Sequence, residues 1–370
     1  MPYWDKQGQE PKLPGLYQVF QRTVTSVTTG GARAIVGMVS YGTDAAEGKV
    51  HQISTIKEAL ALLGLENYQY AKRVFEAGAS KIIVYVKSDT EDLGDALASL
   101  DTYLFDVFTL GFPANKAEAD AVKSWRIDAE NEDRYFVALL GTASGAKTVS
   151  GLKTVFAEAK HGDILHLGIG VKDADGNVFA AGEVAAWLAG AQSTRGVSRG
   201  SLSGTPIPFG VEPEVRFRRS EREELFDAGI AVTFGNGYAT VLESAITSTS
   251  LTAPDQPNPA KGKLRIAYNI NLFKSSLNEI VQQGFIGKIS NDDDGQAALL
   301  AAIRNFIDDM VRDGVMTAES NVVMHPDYVS EGDKVYLLAQ GEFLDAAEKF
   351  FFDFQVGAPV TITNTNGDAI

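Results

Sequence analysis

No cysteine occurs among the 370 residues. Disulfides and cysteine-ligated zinc or iron–sulfur sites are thereby excluded. That composition fits a reducing cytosol without demanding one. Histidine is scarce too, and His51, His161, His166 and His325 are scattered. His161 and His166 stand five apart across an expected loop-to-strand junction, a poor spacing for a pair of metal ligands. No run of about 18 apolar residues is present, so no membrane insertion is expected. The start MPYWDKQGQEPKLPG lacks the basic-then-apolar pattern of a signal peptide. Basic charge is in deficit, with 33 Lys and Arg against 48 Asp and Glu and a formal net charge of −15. A chain so acidic has no electrostatic basis for binding nucleic acid irrespective of sequence, and its surface favours solubility.

The residue sets that carry chemistry are missing as well. Gly168-Ile169-Gly170 follows an apolar strand, but it lacks a third glycine and runs into the turn VKDADGN instead of opening a helix. Asp292-Asp293-Asp294-Gly295 superficially suggests calcium. Its glycine is misplaced for an EF-hand loop, and no glutamate closes it at the right distance. No nucleophile–base set can be read from the chain. The expectation is a non-enzyme with no catalytic, cofactor-binding or metal-ligating residue and no cofactor. Arg216, Arg218, Arg219 and Arg222 form a basic cluster beside Glu221, Glu223 and Glu224. The simpler interpretation is a solvated surface, and the alternative is a patch that meets an acidic neighbouring subunit.

What is present is a regular rhythm. Hydrophobic residues make up 45% of the chain, ordinary for a globular protein, and the length suggests two or three domains. Pro2, Pro11 and Pro14 mark an extended N-terminal arm ending in the β-prone Leu16-Tyr17-Gln18-Val19-Phe20. A strand AIVGMVSYG then leads to helices at 55–63 and near 68–77, and to the buried-looking strand KIIVYVK at 81–87. The β-α alternation continues with helices near 91–102, 115–129, 150–159 and 182–189, between the strands YLFDVFTLG, RYFVALLG and DILHLGIGV. That pattern implies an α/β domain. Ser220 and Glu223 have capping-box spacing before a helix ending at Gly229. Asn236-Gly237 between β-prone runs signals a hairpin. Residues 251–263, LTAPDQPNPAKGK, break the pattern and make the best domain boundary.

Beyond that boundary lie two amphipathic helices. Ile266, Ile270, Phe273, Leu277 and Ile280 share one face of the first, which Gly284 is placed to end in a left-handed cap. The second opens at Asn291 or Asp292 and buries Leu299, Leu300, Ile303, Phe306, Ile307, Met310 and Val311. Gly314 closes it. Arg304, Asp308 and Arg312 sit at i, i+4 spacing on its outer face, where weak ion pairs form. The end of the chain alternates: Phe350, Phe352, Phe354 and Val356, then, after Pro359, Val360 and Ile362. Both pieces suggest strands with one buried face, and such strands are a liability unless paired.

The run FIGKISNDDDGQAALLAAIRNFIDDMVRDGVM resembles the C-terminal domain of contractile tail sheath proteins, in particular the short sheaths of phages and phage-like elements of Gram-positive bacteria. LPGLYQVFQRTVTSVTTGGARAIVGMVSYG at 13–42 is similar to the family's opening and first core strand. IAVTFGNGYATVLESAITSTSL at 230–251 resembles the hairpin before its C-terminal domain, and 334–356 its closing strands. Order and spacing carry the resemblance, while 100–225 matches only in rhythm.

The resemblance implies an α/β and α+β fold. An N-terminal arm (1–22) would pair with neighbouring subunits. An outer α/β domain (23–252), an inner C-terminal domain (253–355) facing the tube and a C-terminal arm (356–370) would follow. It also implies a subunit of hexameric rings stacked helically around an inner tail tube protein, with baseplate and tail terminator proteins as further partners. The location would be a virion tail or phage-tail-like particle assembled in the host cytoplasm. The expected inter-subunit arm residues are Leu16, Tyr17, Val19, Phe20, Val360 and Ile362. Thr25, Gly30, Gly357 and Pro359 are the hinge candidates, and Lys288, Arg304, Asp308 and Arg312 are candidates to face the tube or a neighbour. The readings that compete are a cytosolic α/β enzyme and another self-assembling shell or tube protein.

Overall fold

The computed structural model describes residues 34–143, 148–195, 200–249 and 262–351. Expectations placed on the two terminal arms lie outside the described residues. In chain order the first elements are β1 (Ile35–Ser40), β2 (Lys49–Ile53), α1 (Ile56–Glu76), β3 (Lys81–Val86) and α2 (Leu93–Ala98). Next come β4 (Val107–Leu110), α3 (Lys116–Asn131), β5 (Val137–Gly141), α4 (Val149–Val155) and β6 (Ile164–Leu167). The short strands β7 (Val171–Lys172) and β8 (Val178–Phe179) precede α5 (Ala181–Arg195), β9 (Glu212–Pro213), α6 (Arg219–Asp227) and β10 (Ile230–Ala231).

Seven of these strands form one sheet in the order β10-β6-β5-β4-β1-β3-β2. Neighbours are parallel except β2, which runs antiparallel to β3 at the edge. Alternate side chains leave the sheet on opposite faces. Val36, Met38, Val84, Leu139 and Leu165 pack under α1 and α5. Val39, Ile83, Phe108, Leu140 and Ile164 pack under α2, α3, α4 and α6. Helices on both faces explain why the strands are apolar throughout instead of alternating with polar residues. Phe105, Phe108, Trp125 and Phe136 fill the second face, with ring centroids 4.8–6.3 Å apart.

Of the local expectations one holds, one strand is added and two positions are corrected. The two helices expected before β3 are both present and are joined as α1 across a kink at Gly64 (φ 73, ψ 171). Strand β2, KVHQI, went unforeseen, because its few apolar residues show no alternation and only pairing with β3 makes it a strand. The cap of α6 is Arg218, not Ser220: Glu221 accepts the Arg218 N–H at 2.7 Å. Gly284 is helical, and the left-handed glycine is Gly287 (φ 69), one turn later.

A hairpin of β11 (Thr233–Gly235) and β12 (Thr240–Leu242) follows, as Asn236-Gly237 foretold. Beyond it lie α7 (Leu264–Gly284), α8 (Asp293–Arg312), β13 (Asn321–Met324) and β14 (Leu337–Gln340). Asp292 caps α8, its Oδ1 accepting the Gly295 N–H at 2.9 Å. Asn291 instead donates to the Gly332 and Lys334 carbonyls, tethering the loop before β14. Gly314 (φ 71) ends α8 as expected. Ile266, Ile270 and Phe273 of α7 meet Leu299, Ile303, Ile307 and Met310 of α8 over Val322 and Phe343, forming a third core.

Candidate functional site

The most constrained part of the molecule is the seam where α7 joins the central sheet to the third core. All residues from Leu264 to Lys274 are buried, whereas the second half of α7 surfaces. A helical segment buried on every side is enclosed by protein, and its polar members Arg265, Asn269, Asn271 and Lys274 need partners inside. One stripe, Ile266, Ile270 and Phe273, belongs to the C-terminal core. A second, Leu264, Ala267, Tyr268 and Leu272, belongs to the core beneath α1 and α5. Each large side chain so buried contributes roughly 1.5–3 kcal/mol, so α7 cannot move with one core and leave the other.

At the entry of α7 the chain before residue 250 is tied to the chain after residue 261. Ile246 bridges antiparallel to Lys263. The Thr247 N–H donates to the Gly262 carbonyl at 2.8 Å, and the Leu264 N–H donates to Ala245 at 3.1 Å. Thr247 and Gly262, which flank residues 250–261, therefore lie side by side.

Polar groups lock the seam. Arg126 of α3 is fully buried. Its Nε donates to the Phe136 carbonyl at 2.8 Å, and its Nη2 donates to Asp163 at 2.9 Å and to Asn271 of α7 at 3.4 Å. Asn271 Nδ2 donates to Asp163 at 3.1 Å and to Phe136 O at 3.2 Å. One turn on, Lys274 Nζ pairs with Glu130 of α3 at 2.8 Å and lies 4.9 Å from the Tyr135 ring centre. Burial opposes the charged form of Glu130, but Lys274 and Arg126 outweigh it and hold the carboxyl at about 2. Burial and Asp133 together push the Tyr135 hydroxyl upward.

Glu130, His161 and Asp163 bring ligand atoms within 4.8 Å of one another, a donor set that would suit a divalent ion. Two cations, Arg126 and Lys274, already engage both carboxylates, so the cluster balances its charge from the chain itself. One local clue to the seam is written in the chain. Leu264, Ala267, Tyr268 and Leu272 lie at i, i+3, i+4 and i+8, a second helical stripe beside the one identified. The partners in α3 and β6 are more than a hundred residues away, and no local pattern announces them.

The residues singled out from sequence fall as follows. Lys288 is exposed and bonds the Gln283 carbonyl. Arg304 Nε donates to the Val322 carbonyl at 3.1 Å, so it braces β13. Arg312 pairs with Asp309 at 2.8 Å and lies 3.6 Å from Asp313, not with Asp308, and the expected ladder does not form. In the basic cluster Arg216 pairs with Glu212, Arg219 with Glu223 and Arg222 with Glu243. The exposed pairs of Arg216 and Arg219 fit the solvated-surface interpretation, whereas Arg222 is largely buried against Glu243 and the Phe234 ring. Leu16, Tyr17, Val19, Phe20, Thr25, Gly30, Gly357, Pro359, Val360 and Ile362 lie outside the described residues. Phe350 and Phe351, at the end of the described chain, are 71% and 91% exposed.

Gly168 and Gly170 prove to be close-packing residues. A Cβ on Gly170 would stand 1.9 Å from the Phe179 carbonyl oxygen, and one on Gly168 2.9 Å from Leu152. His161 and His166 do not act together. The Nδ1 of His161 accepts the Asp163 N–H at 3.1 Å. His166 is fully buried and stacks on Phe156 at 4.0 Å, with neither ring nitrogen hydrogen-bonded. Burial, and secondarily Lys160, lowers its pKa to about 3.

No curated protein matches the sequence. Solved structures share the fold. The sheath tail protein of Desulfitobacterium hafniense is 14% identical, with a TM-score of 0.63 over 89% of this chain and 100% of that one. A chain of the six-fold symmetrised anti-feeding prophage baseplate is 12% identical, with a TM-score of 0.70 over 94% and 99%. The sheath complex of the extracellular contractile injection system PVC, in its contracted state, is 12% identical, with a TM-score of 0.68 over 95% and 99%. Residues 87–248 match the phage tail sheath protein central domain, and residues 256–357 match the phage tail sheath C-terminal domain. The seam joins these two matched regions, and with most of its length covered by them the chain belongs to the phage tail sheath family.

Proposed function

We propose that the protein is the structural, non-catalytic subunit of a contractile sheath. Copies stack as hexameric rings in a helical array around an inner tail tube, between baseplate and tail terminator proteins. The array is built in the host cytoplasm as a metastable extended form and shortens to drive the tube through a target envelope. Free energy comes from better-packed contacts between subunits. The six-fold arrangement of the anti-feeding prophage baseplate supports rings of six.

The observation that carries this reading is the sheet β13–β14. Among the described residues it has two strands only, and no third strand pairs with either outer edge, side chains alone (Arg304 and Asn321) engaging Val322 of β13. A two-stranded ribbon is marginal in water, and open edges are templates for strand addition. The arms supply the complement: Leu16, Tyr17, Val19 and Phe20 from one neighbour, Val360 and Ile362 from another. Residues 23–252 face outward and 253–355 face the tube, with Lys288, Arg304, Asp308 and Arg312 on the exposed side of the C-terminal helices. The seam supports motion of both parts as one body, because packed cores do not deform continuously. Change then falls on the arm junctions, at Gln21 to Thr29, with Thr25 and Gly30 the hinge candidates, and at Gly357 to Pro359.

Deleting residues 1–22 tests the proposal. The truncated protein should keep the circular dichroism of the intact chain and fail to form long cylinders by electron microscopy. Normal cylinders from it would overturn the role given to the arm.

A further inference from the structure

The tip of the β11–β12 hairpin brings together the parts of an intramolecular reaction. Asn236 is followed by Gly237. The Asn236 side-chain oxygen Oδ1 accepts two backbone N–H groups, from Tyr238 at 3.0 Å and from Ala239 at 2.9 Å. Asn236 N–H in turn donates to the Ala239 carbonyl at 3.1 Å, fixing the residue in the turn. Two donors on one carbonyl oxygen polarise Cγ and stabilise the negative charge that forms on Oδ1 when that carbon is attacked. The nucleophile is the next group in the chain, the amide nitrogen of Gly237, so no separate encounter is needed. Gly237 has φ 89, and nothing lies within 4 Å of the place a Cβ would occupy. Tyr238 beside it is 99% exposed. Water and base therefore reach the tip freely, and nothing hinders the leaving group.

We propose that Asn236 is a site of spontaneous self-modification, in which the chain converts this asparagine to aspartate and isoaspartate. The Gly237 nitrogen loses its proton and bonds to Cγ. The Cγ–Nδ2 bond breaks, and ammonia departs carrying one proton equivalent from the Gly237 amide. The product is a five-membered cyclic imide. Water then opens either imide C–N bond. One opening restores the main chain with aspartate at 236. The other leaves isoaspartate, with the main chain running through the former side chain. Water is the only co-reactant, and no atom is oxidised or reduced. Either product puts a negative charge on the tip. Isoaspartate also adds a methylene to the backbone and displaces Tyr238 and Ala239, whose N–H groups bond Asn236 Oδ1.

The sequence contains a second Asn-Gly pair, Asn366-Gly367, which serves as an internal comparator. The full chain would be held in mildly alkaline buffer made with heavy-oxygen water, folded and in urea, and its peptides mapped by mass spectrometry over time. The expected result is conversion of Asn236 in the folded protein at least as fast as in the unfolded chain, with uptake of the oxygen label. Asn236→Gln should abolish the change at that peptide and leave Asn366 converting as before. An Asn236 that stays intact in the folded protein while the urea sample converts would overturn the proposal. So would folded-state conversion slower than in urea, since the turn would then protect the residue instead of activating it.

Discussion

Acid should weaken this fold through His166. Both ring nitrogens are buried without a hydrogen bond, so the imidazole is housed in its neutral form and its pKa falls to about 3. Unfolded, the same group takes up a proton near its ordinary value of about 6.5. Its folded pKa is depressed, so the unfolded state binds more protons in the window between those values. Stability is full above about pH 6.5 and declines by about 1.4 kcal/mol per pH unit below it. Between pH 7.5 and 5 the loss is about 2 kcal/mol, and it levels off near pH 3. Glu130 adds its own loss at lower pH, from its ordinary range down to about 2, so the comparison is best kept at pH 5 and above. Urea unfolding of unassembled protein, followed by tryptophan fluorescence, would measure the effect as a difference between wild type and His166→Leu. That difference cancels every other titrating group. At pH 7.5 the variant should match or exceed wild type, because an unpartnered polar group gives way to an apolar one. On moving to pH 5, wild type should lose about 2 kcal/mol more than the variant. Equal losses in both proteins would show that His166 finds a proton acceptor, or water, that its surroundings do not offer.

Four further outcomes are expected. Lys274→Met should destabilise the chain by about 2 kcal/mol in the same assay. The value sits below that for a fully buried pair because the Glu130 side chain keeps 23% exposure, and Glu130→Gln in the same chain should restore part of the loss. Gly170→Ala should cost about 3 kcal/mol by forcing a methyl group onto the Phe179 carbonyl. Gly284→Ala, with nothing within 4 Å of the new methyl group, should be neutral to slightly stabilising. Inserting two flexible residues within the junction Gln21 to Thr29 adds up to about 3.5 Å of slack each. It should give sheaths that contract only partially or cannot be held extended, as imaged before and after an acid trigger. Full cooperative contraction would show that the arm junction does not couple the rings.

Periodicity alone determined much of this protein. The apolar runs of β1, β3, β5 and β6 mark strands covered on both faces. The stripe from Ile266 to Leu277 and its counterpart in α8 mark two helices that pack on each other. Asn236-Gly237 marks a hairpin, and the order of these pieces marks the family. Each is a local signal, written within one or two turns of chain.

What tertiary structure decided is what depends on distant partners. β2 is a strand only because β3 offers it an edge. The sequence argues against a phosphate loop at Gly168 and Gly170, but only the fold shows Phe179 and Leu152 filling the space beside them. Only the fold shows Thr247 and Gly262 bonded to each other. Above all, α7 has two apolar stripes, and no sequence window states that each faces a different core. Nor could it state that Arg126, Glu130 and Asp163, more than a hundred residues upstream, would close over Asn271 and Lys274. A buried charge is tolerated only where its partner is held in place, and that place is fixed by the packing of the whole fold.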